Sequence, residues 1–147
     1  MYNERKNNGS DYMDIIVCLD NKKGMLFNNR RQSRDSKVFE DISSYLQGEL
    51  MIDKFSEKLL STTNLPYKIF ENPVTECNAD SILFIENRSV KEMLSQLDRV
   101  IVYWWNRDYP SDFGFDIDLN QEGFKSVSVV EFEGSSHEKI TKEIFQR

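Results

Sequence analysis

Apolar residues in this chain fall into short clusters, and the spacing within a cluster changes from one to the next. Ile15, Ile16, Val17, Cys18 and Leu19 form a nearly continuous run rich in β-branched residues, the pattern of a strand buried on both faces. Residues 20–24, DNKKG, end it with turn chemistry, and a long polar loop is expected over 28–33. Val38, Phe39, Ile42, Tyr45 and Leu46 then recur at helical spacing, with Asp35 or Ser33 as the N-cap and Gly48 as the stop. Residues 49–53 read as a strand, 56–60 as the start of a second helix with Leu59 and Leu60 turned inward, and 67–70 and 81–85 as strands. Ser89 is expected to cap an amphipathic helix carrying Val90, Met93, Leu94 and Leu97, followed by a strongly β-prone strand over 100–105. Tyr109-Pro110-Ser111-Asp112 breaks the chain, and 124–132 and 140–145 read as two long strands joined through Gly134-Ser135-Ser136-His137.

Strand–helix alternation closed by a terminal hairpin predicts an α/β fold with a mixed, mostly parallel sheet flanked by helices and an antiparallel edge. Residues 1–12 are polar and without period, so they read as a flexible tail ahead of a single domain over 13–147.

Composition narrows the function more than the fold. The 147 residues suffice for one real core, and ten Phe, six Tyr and two Trp argue against disorder. A net charge of −6 makes nucleic acid an unfavourable partner, and no apolar run is long enough to span a bilayer. The first dozen residues lack the apolar segment of a signal peptide, so a cytoplasmic location with two free thiols, Cys18 and Cys77, is expected. One histidine, His137, and two distant cysteines cannot assemble a zinc site, and no metal ligand set is assigned.

The order of the pieces resembles dihydrofolate reductase along 13–147. IIVCLDNKKGMLFNN looks like that family's opening strand and mobile active-site loop, with Asp20 and Gly24 at matching spacing. Asp35 and Phe39 look like the substrate-binding carboxylate and the aromatic one helical turn later. MIDKFSEKLL resembles the segment reaching the cofactor phosphates, with Lys54 and Ser56 at the basic and hydroxyl positions. DRVIVYWWNRDYPSDFGFD resembles the next strand and loop, with Asp112 in the acidic position, and EFEGSSHEKITKEIFQR the closing hairpin. The resemblance implies a dihydrofolate reductase-like sheet with a C-terminal antiparallel hairpin.

The departures bear on activity. ILFIENRSVKEML matches the family's strand–glycines–helix segment, but the glycines that admit a nicotinamide and its pyrophosphate are replaced by Glu86, Asn87 and Arg88. Glu86 is repulsive to phosphate unless Arg88 compensates it. The Pro-Trp of the active-site loop is replaced near Arg30-Arg31, and the Thr that supports the substrate carboxylate becomes Tyr103. The cofactor is therefore undetermined, with NADPH possible but disfavoured, and Lys54, Ser56 and Arg88 are weak candidates to hold it. RRQSRD, YWWNRDYPSD and EGSSHEKITKE also resemble a closer group of small bacterial proteins often labelled ribonuclease Z, an enzyme with a His-rich dinuclear zinc site that one histidine cannot supply.

Among the chemistry-bearing residues, Arg30, Arg31, Gln32, Ser33, Arg34 and Asp35 form the densest polar cluster, either an anion or nucleotide clamp or a solvated loop leading into a helix cap. Asp35 is either a ligand-orienting carboxylate or a plain cap. Ser135, Ser136, His137 and Lys139 pair a hydroxyl with an imidazole, but no third member is visible and ordinary hairpin-turn chemistry explains them better. Tyr103, Trp104 and Trp105 either stack on a base or ring or pack in the core; strand alternation sends Trp104 to the face opposite Tyr103 and Trp105, and core packing on both faces accounts for all three better. Arg107 follows the carboxyl end of that strand, where open α/β sheets bind ligands.

The leading functional reading is a non-reductase that binds a small anionic or nucleotide-like ligand, or a protein partner, at the cleft holding Arg30, Arg31, Gln32, Asp35, Phe39, Arg107, Ser135 and Ser136, with Asp35 and His137 as catalytic candidates. The alternatives are an enzyme of altered chemistry, either an NADPH-dependent reductase of altered specificity or a metal-assisted phosphodiesterase, which needs Asp35, Asp112 or Asp116 to converge with an arginine, and an RNA-directed module using Arg30, Arg31, Arg34 and Trp105, against which the net charge weighs.

Overall fold

A computed structural model describes residues 12–147. The expected tail lies outside the described residues except for Tyr12, whose carbonyl accepts from Asp80 N at 2.9 Å. The first half runs β1 (Met13–Leu19), β2 (Gly24–Phe27), β3 (Arg30–Arg31), α1 (Ser36–Ser43), β4 (Leu50–Ile52), α2 (Lys54–Leu60), β5 (Tyr67–Ile69) and α3 (Pro73–Glu76). The second half runs β6 (Ile82–Phe84), a 3-10 helix (Lys91–Gln96), β7 (Leu97–Trp104), β8 (Phe113–Gly114), β9 (Lys125–Phe132) and β10 (Ile140–Gln146).

Among the described residues the strands form one seven-stranded sheet, β5-β4-β6-β1-β7-β10-β9, and one three-stranded sheet, β3-β2-β8. Pairings from β5 to β7 are parallel; β10 pairs antiparallel with both β7 and β9. The mixed, mostly parallel sheet with a closing antiparallel hairpin is the architecture the alternation predicts.

β1 is central and covered on both faces, which is why its sequence is apolar at nearly every position. Ile15, Val17 and Leu19 join a core with Val74, Met93 and Phe115. Ile16 faces the other way, onto Val38, Phe39 and Ile42 of α1 and Leu59 and Leu60 of α2. Each such burial contributes about 1.5–3 kcal/mol. Trp104 packs on the first face and Tyr103 and Trp105 on the second, as strand alternation requires. No helix of the described residues is long and apolar enough to cross a membrane.

Four local expectations need correction. The polar stretch 28–33 is not one loop. Asn28 and Asn29 have φ of 51° and 60°, the left-handed pair of a two-residue hairpin turn, and Arg30 and Arg31 pair back onto Phe27 and Leu26. The helix expected after Ser89 is a 3-10 helix, and Leu97 already belongs to β7; Ser89 Oγ still accepts from Lys91 N at 3.1 Å. α1 stops at Ser43, before Gly48, so Tyr45 and Leu46 pack on the core from the turn that follows. Asp53 is not the end of a strand but the N-cap of α2.

Candidate functional site

The carboxyl ends of β1, β6 and β7 open on one side of the sheet, and the polar cluster of residues 30–35 is drawn across them. Asp35 caps α1, its Oδ1 accepting from Lys37 N at 2.9 Å. That cap is only part of what the carboxylate does. Gly134 begins the loop between β9 and β10, and the loop folds over Asp35. Oδ1 also accepts from Ser135 N and Ser135 Oγ, both at 2.9 Å. Oδ2 accepts from Ser136 N at 2.9 Å, Ser136 Oγ at 3.2 Å and His137 Nδ1 at 2.9 Å. Asp35 is 2% exposed. Burial pushes its pKa up, but these donors outweigh burial and hold it well below the usual carboxylate range.

His137 carries the network inward. Nδ1 donates to Asp35, and Nε2 lies 3.1 Å from Ser33 Oγ and 3.0 Å from Tyr109 OH, whose hydroxyls can donate to it when the ring is neutral and accept from it when the ring is protonated. The ring stacks on Trp105 at 4.5 Å and 17°. The hairpin residues 135–137 are therefore more than ordinary turn chemistry: they bind the helix cap to the sheet.

The order Asp35–His137–Ser33 has the connectivity of a nucleophile relay, with Ser33 as the third member that the sequence did not reveal. Its surroundings are closed, however. The void touching Ser33, Glu86 and Trp105 has a volume of about 10 Å³, room for a single water. Gln32, which lines the same void, has its Nε2 engaged by Asp20 Oδ2 at 3.0 Å and Pro110 O at 3.2 Å. An acyl group has no place beside Ser33, and the arrangement positions the loop without presenting a nucleophile.

Across that void lies a second carboxylate. Glu86 follows β6, and both its oxygens are gripped by Arg31 at 2.8 Å. Ser56 Oγ donates to Oε1 at 2.7 Å, and the Arg31 guanidinium sits 5.0 Å from the Phe55 ring centre. The expectation that Arg88 compensates Glu86 is corrected: Arg88 is held by Asp53 Oδ2 at 2.7 Å, which leaves Arg31 as the partner of Glu86. Lys54 is 86% exposed and pairs with Glu57 at 3.1 Å. Tyr103 does not support Asp35 either; its hydroxyl donates to Asp41 Oδ2 at 2.6 Å, beside the Lys142 amine at 2.9 Å.

The residues of the sequence cluster thus part company. Arg31 and Gln32 turn toward Glu86 and Asp20, while Arg30 stands exposed on β3. Arg34, Asp35, Phe39, Ser135 and Ser136 border an open cleft of about 590 Å³ between α1, the end of α2 and the hairpin loop, with Thr62 and Leu65 on its far wall. Arg34 Nη2 donates to Thr62 Oγ1 at 3.3 Å across it. Arg107 reaches only the rim, donating to Ser136 O at 3.4 Å. Asp112 accepts from Asn28 N at 3.1 Å and Asp116 from Ser89 Oγ at 3.1 Å, so neither is spoken for by the Asp35 cluster. Among the described residues no three His, Cys, Asp or Glu side chains converge as metal ligands.

No protein-family model matches the chain, and no curated protein matches it by sequence. Solved structures match it by shape. A dihydrofolate reductase from Enterococcus faecalis, in complex with NADP(H) and RAB-propyl, aligns with a TM-score of 0.65 at 13% identity, covering 92% of this chain and 96% of that one. The chain has a dihydrofolate reductase-like fold. At that identity the likeness extends to architecture, and activity has to be argued from the site.

Proposed function

We propose that this protein is a non-reductase built on the dihydrofolate reductase-like fold, and that it binds a small molecule with an apolar body and an anionic group in the cleft beside Asp35. One observation carries the reading: Glu86, locked by Arg31 and Ser56, fills the ground between the carboxyl ends of β1 and β6, while the cleft of about 590 Å³ beside Asp35 stays open.

The residues present do not fit a nicotinamide dinucleotide. Such a group needs bare backbone at the Glu86 turn, and a carboxylate stands there instead. Ser56 is 0% exposed and donates to Glu86, while Arg88 is neutralised by Asp53, so neither is presented to a phosphate. The cleft, in contrast, has the makeup of a ligand site: Phe39 and Leu65 supply apolar wall, hydroxyls of Thr62, Ser135 and Ser136 supply polar rim, and the Arg34 guanidinium offers a fork for carboxylate or phosphate.

Amide chemical shifts recorded during titration with NADPH, dihydrofolate, AMP and benzoate test this. AMP or benzoate is expected to perturb Arg34, Thr62 and Leu65, and Arg34→Ala to weaken that binding about tenfold, the loss of one charge-assisted contact. NADPH with dihydrofolate is expected to show no catalysed oxidation. Sustained turnover, or NADPH shifts centred on Glu86 and Ser56, overturns the reading.

A further inference from the structure

Among the described residues β9 is the last strand of the large sheet, bonded on one side to β10 and with no strand on the other. Eight residues long, it presents roughly 26 Å of edge with backbone donors and acceptors facing out. Of the six large apolar side chains that stand exposed among the described residues, three lie within this strand: Val127 at 57%, Val129 at 58% and Val130 at 44%. No proline interrupts Lys125–Phe132. A bulge does occur, since Ile144 pairs with Ser128 and Phe145 with Ser126, which passes over Val127. That bulge twists the first part of the edge and leaves the stretch from Ser128 onward regular.

Charge is polarised along the strand. Lys125 marks its start, and Glu131 and Glu133 mark its end. A parallel neighbour would set like charge against like, whereas an antiparallel copy of the same strand sets each basic end against an acidic one. We propose that β9 is a self-association edge: two copies of this chain pair their β9 strands antiparallel about a two-fold axis near Val129, which joins the two sheets into one. Val129 of one copy faces Val129 of the other at the axis with Val127 diagonal to it, Val130 lies on the opposite face, and Lys125 of each lies toward Glu133 of the other and near Glu131, which Lys139 of its own chain holds at 3.4 Å. An isologous contact of this kind is closed after two copies.

A single strand pairing buries less than the roughly 800 Å² per partner of a standard interface. The dimer is therefore weak, with a dissociation constant on the order of tens of micromolar. Sedimentation velocity from about 5 to about 500 µM brackets that affinity. Wild type is expected to shift from monomer to dimer across the range. Val129→Lys, which brings two ammonium groups together at the axis, is expected to weaken association at least tenfold, and the exposed position keeps its circular dichroism and melting temperature at wild-type values. Raised salt is expected to weaken the wild-type dimer by screening its charged ends. A chain that stays monomeric throughout, or a dimer that Val129→Lys leaves intact, overturns the proposal.

Discussion

Asp35→Asn removes one charge and keeps the side chain's shape, so its effect isolates the value of the carboxylate. Six donors converge on Asp35, three on each oxygen. An amide replaces one acceptor by a donor. The least damaging orientation puts the amide nitrogen at the Oδ2 position, where Ser136 Oγ can rotate to accept and His137 can shift its proton to Nε2. Ser136 N has no such freedom and is left as a part-buried donor facing a donor, which costs about 1–2 kcal/mol, the lower part of the range for a donor without a partner. The three bonds that survive at Oδ1 fall from charge-assisted to neutral strength, together about another 2 kcal/mol, and the favourable charge at the start of α1 is lost, worth about 0.5 kcal/mol. The sum is about 4 kcal/mol, a large part of the 5–15 kcal/mol typical of a folded domain. Urea denaturation followed by circular dichroism measures it, and Trp105, stacked on His137, gives a local fluorescence signal. The pH dependence supplies a second reading. Because the folded carboxylate titrates below its ordinary value of 3.8, an unfolded chain binds a proton at pH values where the folded one does not. Stability contributed by Asp35 is then fully present above that value and is lost as pH falls below it toward the folded pKa. Wild type should therefore lose stability more steeply than Asp35→Asn as pH drops below about 3.8. A loss under about 1 kcal/mol at neutral pH, or parallel acid profiles, refutes the account of Asp35 as a saturated carboxylate.

Two further substitutions probe the same architecture. Arg31→Ala strips Glu86 of its bidentate partner while Ser56 remains, and with side chains 24% and 11% exposed the pair is buried enough for a loss of about 2–3 kcal/mol in the same denaturation experiment; Arg31→Met with Glu86→Leu should recover most of it, since no lone charge is left behind. Gly134→Ala places a methyl 2.5 Å from Asp35 Oδ2 and 2.8 Å from His137 O, so it should destabilise by at least about 2 kcal/mol and shift the Ser135 and Ser136 amide resonances; wild-type stability would show that the loop yields without disturbing the carboxylate.

The large elements were legible because burial imprints them on the sequence. A strand covered on both faces has to be apolar at successive positions, and 15–19 is; a helix lying on a sheet has to repeat every three or four residues, and Val38, Phe39 and Ile42 do. Local geometry was less legible where one residue type permits several conformations. Asn28-Asn29 tolerates left-handed angles and therefore makes a hairpin turn, yet as a string of letters it reads as loop. Val90, Met93 and Leu97 suit an α-helix by spacing, but a 3-10 helix buries Met93 equally well and returns the chain to β7. The site was least legible, because its partners are distant in sequence. Nothing in the string says that Arg31 meets Glu86, 55 positions on, instead of Arg88 doing so, or that Ser33 and Tyr109 share Nε2 of His137. One signal was available: a glycine followed by two serines and the sole histidine supplies close approach and several donors in four residues, which suits a loop that must cradle an anion, here the chain's own.

The two carboxylates resolve the ambiguity over what Asp35 can offer a ligand. An ionised carboxyl group has about four lone-pair positions, and Asp35 faces six donors, so a ligand donor could reach it only by displacing one of them. Glu86 is nearly filled, with three donors from Arg31 and Ser56 against about four lone-pair positions. Each is the kind of group that would orient a substrate or repel a phosphate if it were free, and each is instead consumed in tying loops to the sheet: Asp35 holds the β9–β10 loop onto α1, and Glu86 holds β3 onto α2. Recognition in the adjoining cleft therefore falls to groups with hydrogen-bonding capacity left over, the Arg34 guanidinium and the remaining lone pair of the Thr62 hydroxyl. A guanidinium and hydroxyls keep one charge state across the neutral range, so within the proposed function the affinity of a carboxylate such as benzoate held there is expected to be flat between about pH 6 and 8, and a steep pH dependence would refute the assignment of recognition to these groups.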